Sequence, residues 1–343
     1  MRRIVFATLF LLIGSANSQA QTEPFYKGKT ITIVTGFSTG SIFDLVARAT
    51  AQHWGKHIAG NPNIIVQNMP GAGSVVAANH IYSVAKPDGL TLGSISSGIY
   101  SDQLVGRKEV QFDWAKFSWI GSSDQTDQIL FVRADTPYKS LADIRKAAEP
   151  ARCGAMGTGT ATYYIPKLME DVLGLKFNIV IGYPGAPEID LAIERGEIHC
   201  RGGTVEAIFG RDPGRTWVKS GFVKVLVQSG ATRDPRLPDT PTIWEIMEKE
   251  QVPESKRRLA TLVLSAGFFG RPIVAPPAMA PDRLKMLRES YLKTMSDPDF
   301  SAEAKKRRWE LTPVSGEKLE ARAKEVTAQP PDVIERMKKL LGN

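Results

Sequence analysis

The chain has 343 residues, with 44 Lys and Arg against 36 Asp and Glu, a formal net charge of +8, two cysteines and four histidines. That length exceeds what one hydrophobic core usually serves, so two lobes are expected. The basic residues are scattered except for Lys256–Arg258 and Lys305–Arg308. Both runs sit in segments that read as exposed helix or loop, so solvated faces account for them and no nucleic-acid partner is expected.

Residues 1–20 read as a secretory signal peptide. Arg2 and Arg3 form a basic start, Ile4–Ile13 an apolar core, and Ser18, Gln19 and Ala20 a small-residue site with cleavage expected after Ala20. That core is short for a bilayer span, no Cys follows it, and no later stretch is apolar over membrane length. An exported, soluble protein of formal charge +6, after loss of Arg2 and Arg3, is the expectation.

Strands and helices alternate from there. Strands are predicted at Thr30–Val34, Ile64–Gln67, Leu92–Ile95, Trp119–Gly121, Ile129–Val132, Arg152–Met156, Phe177–Ile181, Ile198–Arg201, Val225–Gln228 and Phe268–Ala275. Helical patterns fall at Ile42–His57, Val75–Val84, Leu141–Ala148, Lys167–Leu173, Glu188–Glu194 and Pro281–Met295, and the last ~60 residues also look helical. This order predicts an α/β chain whose sheets are mostly parallel and flanked by helices. Cys153 and Cys200 both fall in strands of one lobe. An oxidising compartment permits a bond between them; two free buried thiols are the alternative.

No catalytic constellation assembles. His53 and His57 share a helix face, but no Glu follows His53, so the zinc-protease pattern fails and no metal site is expected. Ser94, not Gly, stands two before Ser96, which removes a nucleophile elbow. No phosphate-loop Lys follows any Gly-rich turn, and no cofactor is expected.

Three strand–loop–helix junctions remain: Phe37–Ser41, Gly154–Ala161 and Gly182–Pro187. Each places small residues before a helix start, where unpaired N–H groups and the helix dipole suit an anion. In two parallel lobes such loops face a shared cleft.

The segment Phe37–Arg48, F-S-T-G-S-I-F-D-L-V-A-R, resembles the F-x-A-G-G-x-x-D-x-x-A-R signature of the tripartite tricarboxylate transporter substrate-binding proteins, the Bug family. Asn68–Ser74, Lys86–Leu92, Tyr183–Pro187 and Arg233–Pro241 match further family motifs in the same order. The resemblance implies a type II periplasmic binding-protein fold with two crossings between lobes. Lobe one is placed at 25–125 and 239–343, lobe two at 126–238, and hinges at Ser122–Asp127 and Asp234–Pro241. It also implies a small organic anion, a mono- or dicarboxylate, passed to a two-component membrane permease by a monomer with no chemistry of its own. A sensor presenting the same ligand to a membrane kinase, or an exported hydrolase, are the alternatives.

The expected ligand set is Phe37, Ser38, Thr39, Gly40, Ser41 and Asp44 from the first loop, with Ser96 and Ser97. The opposing side supplies Thr158, Gly159, Thr160, Tyr183, Gly185, Ala186, Arg201, Gly203 and Thr204. Asp44 is expected to cap backbone near the helix start, since a carboxylate repels an anion. Arg201 stands where relatives carry an acidic residue. It either holds a second carboxylate or points to solvent at a strand end. Pro166 predicts a helix that is kinked or begins late.

Overall fold

The structure, a computed structural model, describes residues 23–342, so the signal peptide and its cleavage site lie outside the described residues. Among the described residues eleven strands form two sheets: β1 Thr30–Thr35, β2 Asn63–Asn68, β3 Thr91–Ser94, β4 Ser118–Ser122, β5 Gln128–Arg133, β6 Ala151–Ala155, β7 Phe177–Ile181, β8 Cys200–Thr204, β9 Val223–Gln228, β10 Pro272–Ala275 and β11 Val314–Ser315. The first sheet runs β11-β4-β10-β3-β1-β2 and the second β7-β6-β8-β5-β9. In each, four strands point one way, and the strand that arrives from the other lobe, β10 or β5, runs against its neighbours. The lobes therefore repeat one topology.

The helix Ile42–Trp54 shows why the sequence folds as it does. Ser41 caps its first turn, and Val46, Ala47, Thr50 and Trp54 bury one face. Trp54 meets Tyr291 edge-on at 5.2 Å and donates to the Ser290 hydroxyl at 2.9 Å, which ties it to the helix Pro281–Met295. His53 and His57 do not converge on one site; they contact Glu303 and Asp297. Around Trp114, Trp119, Tyr100 and Phe269 the core is aromatic.

Three features depart from expectation. The helix predicted over Lys167–Leu173 begins at Ala161, with Pro166 inside it, so it does not begin late. Phe268 and Phe269 are not in a strand; Ala266–Phe269 is helical and β10 starts at Pro272. The helices Ile243–Lys249 and Glu254–Leu264 stay with the second lobe through Arg145–Glu250 and Lys256–Asp171 pairs. The chain thus re-enters the first sheet at 265–272, after the 234–241 segment. There it runs beside the first crossing, with the Thr126 N–H bonded to the Gly267 carbonyl at 3.0 Å.

Cys153 and Cys200 are register partners on adjacent strands and form a disulfide.

Candidate ligand-binding cleft

The loops after β1, β3 and β6 and the start of β10 enclose a cavity between the lobes. Phe37, Ser41, Ile42, Phe43, Ser96 and Ser97 line it from the first lobe. Met156, Thr160–Thr162, Tyr164, Ala186, Arg201, Gly203, Thr204 and Ala207 line it from the second, and Thr126, Gly270 and Arg271 from the crossings. Two helix starts meet there. In the helix Ile42–Trp54 the Asp44 N–H is capped by Ser41 Oγ at 3.2 Å, and among the described residues the N–H groups of Ile42 and Phe43 have no acceptor. In the helix Ala161–Leu173 the N–H groups of Ala161 and Thr162 are likewise unpaired among the described residues. Four backbone donors and two helix dipoles therefore converge from opposite lobes.

Among the described residues, the only charged ones in the lining are Arg201 and Arg271. Each is buried and held from behind by a carboxylate. Arg201 bonds Asp190 at 2.9 Å and stacks on Phe131, with 4.9 Å from guanidinium to ring centre. Asp190 also pairs with Arg211, so one carboxylate serves two guanidinium groups. Burial and the Arg211 charge press the Arg201 pKa down against the pull of Asp190. Arg271 pairs with Asp124 of the first crossing.

The lobes touch around the rim. The Ser38 hydroxyl donates to Glu188 at 2.9 Å, Ser96 Oγ to the Gly159 carbonyl at 3.0 Å, and the Thr158 hydroxyl to Asp102.

A family model described as "Tripartite tricarboxylate transporter family receptor" matches residues 46–338. The chain belongs to that family. A relative in Cupriavidus necator, the "UPF0065 protein in gbd 5'region", is 27% identical over 302 residues, 87% of this chain and 84% of its own. Among solved structures, the periplasmic binding protein BugD is similar over 92% of this chain and 98% of its own, at 20% identity and a TM-score of 0.72. MatC of Rhodopseudomonas palustris with bound malate covers 92% of this chain and 99% of its own, at 20% identity and a TM-score of 0.70. An R. palustris protein with adipate covers 92% and 98%, at 19% identity and a TM-score of 0.71. The fold is the type II periplasmic binding-protein fold.

Within this receptor the expected ligand set divides. Phe37, Ser41, Ser96, Ser97, Thr160, Ala186, Arg201, Gly203 and Thr204 line the cavity. Thr158 and Tyr183 instead line a second interlobe groove with Asp102 and Arg107. Gly40 lies at a third, basic groove with Arg211 and Arg215. Ser38, Gly159 and Gly185 form lobe-to-lobe contacts. Thr39 is turned to Asn68 at 3.3 Å on the surface.

Asp44 does not face the cavity. Its carboxylate accepts the Gly40 N–H, Asn68 Nδ2 and Arg48 Nε, each at 2.9 Å. Burial pushes this carboxyl up, but the bonds from Arg48, Gly40 and Asn68 outweigh it and hold its pKa below the usual range. Asp44 thus consumes the Gly40 donor, and the Ser41 N–H goes to the Ser38 carbonyl at 3.2 Å. The donors left free at this helix start are those of Ile42 and Phe43, two and three residues past Gly40. Arg201 is only 2% exposed, which removes the solvent-facing alternative.

Thr126, Met156, Tyr164 and Arg271 were not in the expected set. Arg271 and Thr126 were findable: both belong to crossings, and the amino end of an antiparallel strand lies at the same sheet edge as the carboxyl ends of its neighbours.

Proposed function

We propose that this receptor captures a small mono- or dicarboxylate in the interlobe cavity and delivers it, in the periplasm, to a two-component membrane permease, without chemistry of its own. One observation carries the reading: two arginines and two helix starts face the cavity, and among the described residues no carboxylate lines it. Such a lining favours an anion through charge, dipole and fixed N–H donors acting together. The malate and adipate held by proteins of the same fold support the ligand class.

The test is a thermal-shift and calorimetry panel on the mature protein, pairing each carboxylic acid with its neutral amide. A true ligand at a hundredfold excess over Kd raises stability by about 2.7 kcal/mol. The amide is expected to give no comparable shift. Equal shifts from acid and amide, or none from any carboxylate, would refute the reading.

A further inference from the structure

We infer that Arg271, with Thr126, takes the distal carboxylate of a dicarboxylate ligand, and that Arg201 does not. This rests on the carboxylate reading of the cavity.

The two cavity arginines differ in what they have left to give. Arg201 spends Nε on Asp190 and Nη1 on the Gly202 carbonyl at 3.3 Å. Of its side edge, the Nε and Nη2 pair that grips a carboxylate in a fork, the Nε half is already taken by Asp190. Arg271 spends only Nη1, on Asp124, and its backbone N–H goes to Ser122 Oγ at 3.0 Å. Its Nε is buried without a partner among the described residues. The Nε side of its fork is thus open to a planar carboxylate.

Thr126 repeats the pattern independently. It is 8% exposed, and its hydroxyl is buried without a partner among the described residues. Both residues line the cavity. Leaving a buried donor unpaired is unfavourable, so two such groups on one wall mark where a ligand acceptor belongs. The helix starts at Ile42–Phe43 and Ala161–Thr162 then serve the proximal carboxylate.

Placement adds a consequence. Thr126 lies on the first crossing, bonded to Gly267 of the second, and Arg271 lies on the second, bonded to Ser122 of the first. A ligand long enough to reach them touches the segments that must bend when the lobes move. Ligand length is thereby read at the hinge.

The experiment is calorimetry on the mature wild type, Thr126→Val, Arg271→Lys and Arg201→Lys, with two matched pairs: succinate against butyrate, and adipate against hexanoate. Lys at 271 keeps a cation opposite Asp124 but lacks the fork; Val at 126 removes only the hydroxyl. Wild type is expected to prefer the diacid in at least one pair. Thr126→Val and Arg271→Lys should each cut the diacid-to-monoacid affinity ratio at least tenfold, and Arg201→Lys should move it less than threefold. A ratio that survives in both of the first two variants, or collapses only in Arg201→Lys, overturns the assignment. So does a wild type that binds both members of each pair equally, and in that case the carboxylate reading stands. A wild type that binds none of the four overturns this assignment, and the carboxylate reading falls with it only where the full acid panel also gives no shift.

Discussion

Closure depends on glycine at the point where the lobes meet, and Gly157→Ala tests this. Gly157 follows β6 in the second lobe and faces Gly73 of the first. A Cβ built on it lies 2.5 Å from the Gly73 nitrogen, 2.7 Å from the Ala72 carbonyl carbon and 2.7 Å from Gly73 Cα. All three are main-chain atoms, so no side chain can swing aside. Reaching ordinary contact at 3.4 Å requires the loops to part by about 0.9 Å. Gly157 is outside the left-handed region, so Ala strains neither lobe by itself. The cost falls on the closed state alone. Overpacking of this kind costs about 1–3 kcal/mol, which raises Kd roughly 5- to 150-fold. Calorimetry gives the affinity, and small-angle scattering with saturating ligand gives the compaction. A wild-type Kd together with wild-type compaction would show that the lobes do not need this contact, and the reasoning would fail.

Two further predictions concern charge and the disulfide. Asp102 is buried beneath the Thr158–Gly159 loop, and burial raises its carboxyl from 3.8 to about 6 against the pull of Thr158 and Arg107. Opening the cleft hydrates it and restores the ordinary value, so the closed state binds the proton more tightly. Affinity should therefore be flat above about pH 7 and rise as pH falls through 6, by at most roughly 3 kcal/mol in total, reached only below about pH 4. Asp102→Asn should flatten the profile, and a flat wild-type profile sinks the idea. Reducing Cys153–Cys200, which are separated by 47 positions, should lower unfolding stability by about 4 kcal/mol from loop entropy. Urea titration with and without reductant measures it, and a loss below about 1 kcal/mol contradicts the entropic account.

Where one side-chain period dominates, the sequence was a good guide. Ile42–Trp54 and Pro281–Met295 show themselves through burial spacing, and strands such as β1, β5 and β9 through apolar runs bounded by turns. β11, two residues long, has no period to detect. Phe268–Ala275 is apolar apart from Gly270 and Arg271, and such a run does not tell helix from strand; Gly270 ends the helix and Pro272 opens β10. The turn chemistry of Asp234–Pro241 looks like a lobe boundary, yet the chain enters β10 only at Pro272. Which lobe then receives Ile243–Leu264 is decided by docking partners such as Arg145 and Asp171, some 80–105 positions away in sequence. The site followed the same logic. Backbone donors at a helix start are legible, but the loss of the Gly40 donor to Asp44 needs three dimensions.

The pairing of cavity arginines with carboxylates behind them fits the proposed role of the cleft in holding an anion. A buried guanidinium without a counter-charge is strongly destabilising, whereas a paired one is tolerated. Asp190 and Asp124 supply that pairing from outside the lining, so neither arginine depends on the ligand to remain buried. Yet the compensation is incomplete on one side: Arg201 and Arg211 share Asp190, which leaves one positive charge beside the cavity. That residual charge attracts a carboxylate without demanding one. Full neutralisation by a second acid would abolish the attraction, and removal of Asp190 would leave two buried cations repelling each other. The single shared carboxylate sits between these failures, which is the condition a receptor needs if it must both hold and release its ligand.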